Sequence, residues 1–188
     1  MSLEIVIGPM FSGKTTHLNI KLTSYADQGY SVIKIIHSAD NRDGNTKGST
    51  HNSCVTIGDK VDIVKTDMLS KIDISKYHII GIDESQFFPD LADIVALWIE
   101  TKQVLVVGID GDSNRKKFGQ ILDLIPLCDK IQKLSSACSE CFESDKRSGN
   151  IKAPTPAPFT VRKSTDVHQI CVGGSEIYRP SCRLHYTP

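Results

Sequence analysis

An excess of charge of either sign is missing from this chain of 188 residues: 22 Lys and Arg stand against 22 Asp and Glu, a formal net charge of +0. Affinity for a phosphate backbone is built mainly from excess Lys and Arg, so the balance argues against a nucleic-acid binder. No apolar run approaches the roughly 20 residues that a membrane-crossing helix requires. The chain enters a strand-like segment, Leu3-Glu4-Ile5-Val6-Ile7, at once, without the basic stretch and apolar core of a secretory leader. A soluble, cytoplasmic chain with no nucleic-acid or membrane partner is therefore expected. Aromatics are scarce at 6%, yet 39% of the residues are hydrophobic, enough for a real core and too many for a disordered polymer. At roughly 100–200 residues per domain, the length means one domain with at most a small appendage. Cysteine is not among the absences: there are six, open to reading as disulfides, metal ligands or buried thiols.

What is present alternates. Apolar runs rich in Val and Ile recur at 3–7, 32–36, 61–64, 78–82 and 103–109. Several are separated by helix-like segments, which predicts an α/β domain with a mainly parallel sheet. Residues 15–28 carry Leu18, Leu22 and Tyr25 at helical spacing, and Gly29 is placed to end that helix. Pro89 and Asp90 open a second helical pattern through Leu91, Ile94, Val95 and Trp98. From about Ser135 the texture turns to Ser, Cys, Lys and Pro, including Ala153-Pro154-Thr155-Pro156-Ala157-Pro158. The expectation is a core over 1–135 and a small second lobe over 136–188, made of loops and short β segments. Such a lobe has too little apolar mass for a core of its own and needs a staple.

Gly8-Pro9-Met10-Phe11-Ser12-Gly13-Lys14-Thr15 is a complete G-x-x-x-x-G-K-[ST] loop with a strand before it and a helix after it. Its backbone N–H groups and helix N-terminus cradle phosphate oxygens, the Lys14 ammonium reaches the transferred phosphate, and the Thr15 hydroxyl can hold Mg²⁺. A nucleoside triphosphate site follows. His78-Ile79-Ile80-Gly81-Ile82-Asp83-Glu84 is an apolar strand ending in two carboxylates, beside the crevice where ligands of parallel sheets bind. Successive residues of extended backbone point opposite ways, so Asp83 is expected to face the metal and Glu84 the acceptor hydroxyl as general base. Phe87 and Phe88 read first as core, though one of them can wall a site for a flat ring. Asp40-Asn41-Arg42-Asp43-Gly44 and Asp110 to Gly119 follow strands in the same way; each reads equally as a polar turn or as a contact to sugar or phosphate.

The cysteines divide. Cys138-Ser139-Glu140-Cys141 and Cys182-Arg183-Leu184-His185 form a C-x-x-C and a C-x-x-H pair, which supplies the four ligands of a closed, structural Zn²⁺ site. Disulfides are the rival reading, disfavoured in an intracellular chain. Cys54, Cys128 and Cys171 are spaced unlike ligands and are read as incidental thiols. His17, His37, His51, His78 and His168 form no ligand pattern.

In order along the chain, Ile7 to Thr16, Asp40-Asn41-Arg42, Gly81 to Asp90, Arg115-Lys116-Lys117-Phe118-Gly119, Lys133 to Cys141, Val172 to Tyr178 and Ser181 to His185 resemble the type II thymidine kinases, a family of cellular, bacterial and viral enzymes. The resemblance runs nearly end to end. It implies transfer of a phosphoryl group from ATP to the 5′-hydroxyl of thymidine, a RecA-like P-loop core, a zinc-bearing lobe with a lasso loop, and a homotetramer. Carried over residue by residue, it assigns Gly8, Pro9, Met10, Phe11, Ser12, Gly13, Lys14, Thr15 and Thr16 to ATP and Thr15 and Asp83 to Mg²⁺. Glu84 becomes the base, with Lys14 and Arg42 beside it in catalysis. Met10, Asp40, Phe87, Phe118, Phe159, Thr160, Ile170, Val172, Gly173 and Tyr178 fall around the nucleoside, within or near a lasso running roughly from Phe159 to Tyr178.

The chain also departs from the family. Ser113 stands where the cellular enzyme has a phenylalanine, Lys117 replaces a proline, Ser85 stands where Gly or Ala is commoner, and His185 replaces the frequent fourth cysteine. A buried ring lost against a substrate is worth ~1–3 kcal/mol, so deoxyuridine is expected to rival thymidine. The alternative class is a P-loop ATPase whose zinc lobe is a partner-interaction module.

Overall fold

The computed structural model describes residues 1–40, 57–163, 168–169 and 173–187. Six parallel strands form the central sheet: β1 (Ser2–Ile7), β2 (Val32–His37), β3 (Val61–Thr66), β4 (Ile79–Asp83), β5 (Gln103–Gly108) and β6 (Lys130–Lys133), in the order β3-β2-β4-β5-β1-β6. Alternation along each strand splits the apolar residues between two faces. Ile5, Ile33, Ile35, Ile80, Ile82, Val104 and Val106 turn to one side, where helix α2 (Leu91–Trp98) adds Leu91, Val95 and Trp98. Val6, Val32, Ile79, Leu105 and Val107 turn to the other, against Leu18, Leu22 and Ala26 of helix α1 (Lys14–Asp27). Those three are spaced at i, i+4 and i+8, one stripe of a helix. Each fully buried Leu, Ile or Val contributes roughly 1.5–3 kcal/mol, so three layers with two cores follow from the strand pattern itself. The α/β class with a mainly parallel sheet, and the strands and two helices read from the sequence, are all present.

Because the strands are parallel, their carboxyl ends meet along one edge. There β1 runs into the loop at Gly8, β4 into Glu84, and β5 into the turn that begins at Ile109. Gly13 carries the chain from that loop into α1 with φ +83, a left-handed conformation that costs a side chain roughly 1 kcal/mol and glycine almost nothing.

Beyond the sheet the second segment differs from its expectation as loops and short β pieces. Strands β7 (Ser136–Ala137) and β8 (Pro156–Ala157) pair antiparallel, as do β9 (Phe159–Arg162) and β10 (Tyr178–Ser181), but a ten-residue helix, α3 (Ser139–Ser148), lies among them. It has no buried residue, so no apolar stripe betrays it in the sequence; Glu140 in its first turn, Lys146 and Arg147 in its last and the left-handed Gly149 after it suit the helix dipole and its termination. Strand β6 also escaped the pattern, since all four of its residues are exposed at the sheet edge and Ile131 is its one apolar side chain.

Asp90 precedes α2 yet does not cap it. Its carboxylate accepts the backbone N–H of Leu69 at 3.1 Å and of Ser70 at 2.9 Å, fastening a preceding 3₁₀ turn to the helix. Burial alone would raise its pKa, but those donors hold it below the ordinary 3.8. A carboxylate with a depressed folded pKa stabilises fully above its unfolded value and loses that contribution as pH falls through the folded one. We expect Asp90→Ala to cost about 1–3 kcal/mol in urea unfolding at pH 7. The gap to the wild type should close as the pH is lowered below 3.8.

Candidate functional site

The loop between β1 and α1 folds on itself. Ser12 Oγ donates to the Pro9 carbonyl at 2.8 Å and Lys14 Nζ to the same oxygen at 2.7 Å, with Lys14 buried under the loop. Phe11 takes φ +63, an unusual backbone for a non-glycine residue. Thr15 and Thr16 follow in the first turn of α1. The Met10 N–H leaves the loop altogether and donates to Thr160 Oγ1 on β9 at 2.9 Å.

Asp83 ends β4 on the α1 face. One carboxylate oxygen, Oδ1, accepts from Thr15 Oγ1 at 3.1 Å and from the Glu84 N–H at 3.0 Å; the other, Oδ2, lies 2.8 Å from Lys34 Nζ. Lys34, in the middle of β2, is 0% exposed and also donates to Asn19 Oδ1 on α1 at 2.8 Å. Removing an ammonium from water costs several kcal/mol, which Asp83 and Asn19 offset here. A hydroxyl and a carboxylate oxygen 3.1 Å apart also suit two neighbouring vertices of a Mg²⁺ octahedron, whose edge is about 2.9 Å for bonds near 2.1 Å. Sequence reading singled out Asp83 and Thr15 and missed Lys34, which reads as one polar residue in an apolar strand. Parity was the available signal: a lysine two residues from Val32 shares the face of β2 that lies under α1.

Glu84 differs from expectation in one respect. It does not continue the strand with its side chain opposite Asp83; it has φ 48, ψ 44 and opens a 3₁₀ turn, Ser85–Phe87. The two carboxylates part company because the backbone turns left-handed between them, at roughly 1–2 kcal/mol for a residue with a Cβ. Glu84 is 7% exposed, and its Oε2 accepts from Gln86 Nε2 at 2.6 Å, while Gln86 Oε1 accepts the Ile109 N–H at 3.0 Å.

Glu84 opens onto a cleft whose empty space, its open mouth included, is about 530 Å³. Met10, Asp40, Phe87, Phe118, Thr160, Gly173 and Tyr178, all expected around a nucleoside, line it with Glu84. Met10, Ile109, Phe118 and Tyr178 pack together with Phe87 into its apolar wall, Phe87 and Phe118 edge to face at 5.7 Å. Gln86 and Ile109 also line the cleft and were not foreseen; Asp112 and Ser113 enter it from the turn after β5, and Arg162 and Gln169 from the span expected as the lasso, though none of these four was named as a nucleoside contact. Arg162 lies over the Tyr178 ring and donates to its hydroxyl at 3.1 Å. Phe159 was expected at the nucleoside but is not among the lining residues; its ring packs on Tyr186 at 5.5 Å between the guanidinium groups of Arg115 and Arg183. Arg42, Ile170 and Val172 lie outside the described residues, as do His51, Cys54 and Cys171.

The basic run after β5 is absorbed locally. Asp112 Oδ1 accepts the N–H groups of Asn114 and Lys116, Arg115 stacks 4.2 Å over Tyr186, and Lys117 pairs with Asp123. Tyr186 in turn donates to the Ser113 carbonyl at 2.7 Å. Gln169 Nε2 donates to Asp112 Oδ2 at 2.8 Å, tying the segment beyond β9 to this turn.

Cys138, Cys141, Cys182 and His185 converge, with all four ligand atoms within 4.8 Å of one another. His185 Nδ1 lies 3.7, 3.3 and 3.5 Å from the three sulfurs, and Cys141 Sγ lies 3.9 Å from Cys182 Sγ. A tetrahedral zinc with bonds near 2.3 Å to sulfur and 2.0 Å to nitrogen requires about 3.7 Å between sulfurs and 3.5 Å from sulfur to nitrogen. The donors fit the ion, and the 3.9 Å sulfur separation is far too long for a disulfide. Burial pushes the Cys138 thiol up, but the backbone N–H groups of Cys141 and Cys182, with His185, bring it down to about 6, where a thiolate ligand is available near neutrality. Cys128, the other described cysteine, stands apart with its thiol on the Ile125 carbonyl. No helix among the described residues is long and apolar enough to cross a membrane.

A parallel sheet that gathers a glycine-rich loop, a carboxylate pair and a mainly apolar cleft at one edge has the layout of an enzyme that binds small ligands at the carboxyl ends of its strands. The family model described as "Thymidine kinase" matches residues 1–186. The thymidine kinase of Choristoneura fumiferana entomopoxvirus is 38% identical over 193 residues, covering 99% of this chain and 96% of the relative. That of Amsacta moorei entomopoxvirus is 36% identical over 190 residues, covering 99% and 98%, and thymidine kinase a of Arabidopsis thaliana is 34% identical over 194 residues, covering 98% and 74%. The chain belongs to the thymidine kinase family, a family of phosphotransferases.

Lys34→Met should leave the Asp83 carboxylate buried against an apolar side chain. The expected loss is about 3–5 kcal/mol of unfolding free energy in a urea titration, and Asp83→Asn added to it should recover part. A loss below ~1 kcal/mol would mean that the pair carries little of the fold.

Proposed function

We propose that the protein transfers the γ-phosphoryl group of ATP to the 5′-hydroxyl of thymidine, with Glu84 as the base for that hydroxyl. The observation that carries the reading is the parting of two successive carboxylates, Asp83 toward Thr15 and the phosphate loop, Glu84 into the cleft. Gly8, Pro9, Met10, Phe11, Ser12, Gly13, Lys14, Thr15 and Thr16 would bind the phosphates, with backbone N–H groups and the α1 N-terminus as the anion cradle. Thr15 and Asp83 would hold the Mg²⁺ that accompanies ATP and supplies positive charge to its phosphates. Lys14 and Arg42 would neutralise charge on the transferred group.

In this reading the nucleoside lies in the cleft, its ring against Phe87, Phe118 and Tyr178 and its sugar toward Asp40 and Glu84. Held there, the 5′-hydroxyl meets the base and the phosphate in line, so that positioning carries most of the rate. Thr160 and Gly173 line the cleft, and Ile170 and Val172, which lie outside the described residues, would complete the enclosure as part of the lasso. Ser113 leaves room where an aromatic ring would press, which favours acceptance of deoxyuridine beside thymidine. Zinc on Cys138, Cys141, Cys182 and His185 is structural, since four protein ligands leave no open position. Residues 1–135 form the nucleotide-binding core and 136–188 the zinc lobe and lasso of a cytoplasmic homotetramer.

A panel of nucleosides with ATP and Mg²⁺, read as ADP formed, tests this directly. ADP should form with thymidine and deoxyuridine and not without a nucleoside; consumption of ATP that ignores the nucleoside would make the protein an ATPase instead. Glu84→Gln should bind ATP normally and lose about 10²–10⁴-fold in kcat, the range for removing a general base. Stripping the metal with a chelator should release one zinc per chain, measured by atomic absorption, and lower the melting temperature, whereas Cys141→Ser should retain less zinc from the outset.

A further inference from the structure

Gln86 is a polar residue with 4% exposure, one turn from the mouth of the cleft, and the reaction as read above makes no use of it. Both ends of its amide are engaged. The Ile109 N–H, 3.0 Å away, can only donate, so the atom it meets is the amide oxygen; the amide nitrogen then points at Glu84 Oε2, 2.6 Å away, where a carboxylate can only accept. Turning the amide over would set donor against donor at one end and acceptor against acceptor at the other. The orientation is therefore dictated from both sides.

The space around Gln86 is closed as tightly as its hydrogen bonds. Gly119 has φ +64, and a Cβ there would lie 2.3 Å from the Gln86 carbonyl oxygen; one on Gly108 would lie 2.8 Å from Gln86 Oε1. Glu84 itself sits in a left-handed conformation, where the backbone alone does not hold a long side chain in one direction. Leu, Met or another apolar residue would fill the same channel without two buried polar atoms to satisfy. What an apolar residue cannot do is bind one oxygen of Glu84 and fasten it to the exit of β5, whose Ile109 is part of the cleft wall.

We propose that Gln86 is the positioning residue that aims the carboxylate of Glu84 at the acceptor hydroxyl; this rests on the reading of Glu84 as the base. Its amide binds Oε2 and so fixes the direction in which the carboxylate faces. Base and cleft wall move as one piece because one amide joins them.

The test is a double-mutant cycle in the full-length, zinc-loaded protein. Gln86→Met should lower kcat for thymidine about 10–100-fold, as loss of an orienting partner does elsewhere, with KM for ATP changed by less than about twofold. In the Glu84→Gln background the same substitution should cost less than about threefold, because the group through which Gln86 acts is already gone. A kcat within twofold of wild type for Gln86→Met, or an equal loss in both backgrounds, overturns the proposal. Gln86→Leu is the second variant, with the ATP-induced rise in melting temperature as the measure of folding; if neither variant shows that rise, Gln86 is a packing residue and the proposal falls. The base reading fails separately, if Glu84→Gln alone turns over normally.

Discussion

One buried anion ties this molecule together. The Asp83 carboxylate is shared among a lysine from β2, a hydroxyl from the first turn of α1 and the N–H of its own successor. Two strands, a helix and the turn that presents Glu84 thus meet at a single group. Apolar packing on the two faces of the sheet would hold these elements in layers, but it is not directional. The carboxylate sets their axial positions, because hydrogen bonds lose strength steeply with angle and distance. Lys34 makes this arrangement possible: without its charge, the buried carboxylate would be left with two neutral donors, the Thr15 hydroxyl and the Glu84 N–H.

The second segment is organised by other means. Its helix α3 buries no residue and its strands are two to four residues long, so it lacks the apolar area that fixes the sheet. Cys138 and Cys141 flank the start of α3 and Cys182 follows β10, so the sulfur cluster joins the two ends of the segment. Arg115 and Arg183, laid against Phe159 and Tyr186, add an aromatic and cationic seam between this segment and the turn after β5. Each such contact is worth about 0.5–2 kcal/mol, and here several share the same two rings.

The sheet, α1 and α2 were legible because burial there is periodic: Leu18, Leu22 and Ala26, or Val104 and Val106, repeat with the period of their element. The Cys/His cluster was legible because ligand spacing is itself a local pattern, and the turn from β1 into α1 because its glycines and lysine stand at fixed separations. Three kinds of feature escaped. Helix α3 and strand β6 have no buried face, so their residues repeat no apolar period. Lys34 and Gln86 each bond a partner distant in sequence, Asp83 in one case and the Ile109 N–H in the other, and no short window contains both members. The conformation of Glu84 escaped because strand alternation supplies a simpler answer; the left-handed turn achieves the same divergence by a route that Asp, Glu and Ser in succession do not announce. Phe159 illustrates the converse, an aromatic whose place was inferred from its neighbourhood in the chain and decided by two arginines far from it.

The bond from the Met10 N–H to Thr160 adds a directional tie between two parts that also meet through the packing of Met10 with Tyr178. Met10 belongs to the loop after β1, and its side chain is also part of the cleft wall; Thr160 lies on β9, in the segment anchored by the sulfur cluster. A ligand that draws on that N–H, or on the loop around it, alters what Thr160 has to hold. Linkage then works in both directions with the same coupling free energy: whatever occupancy of the loop does to affinity at the cleft, occupancy of the cleft does to affinity at the loop.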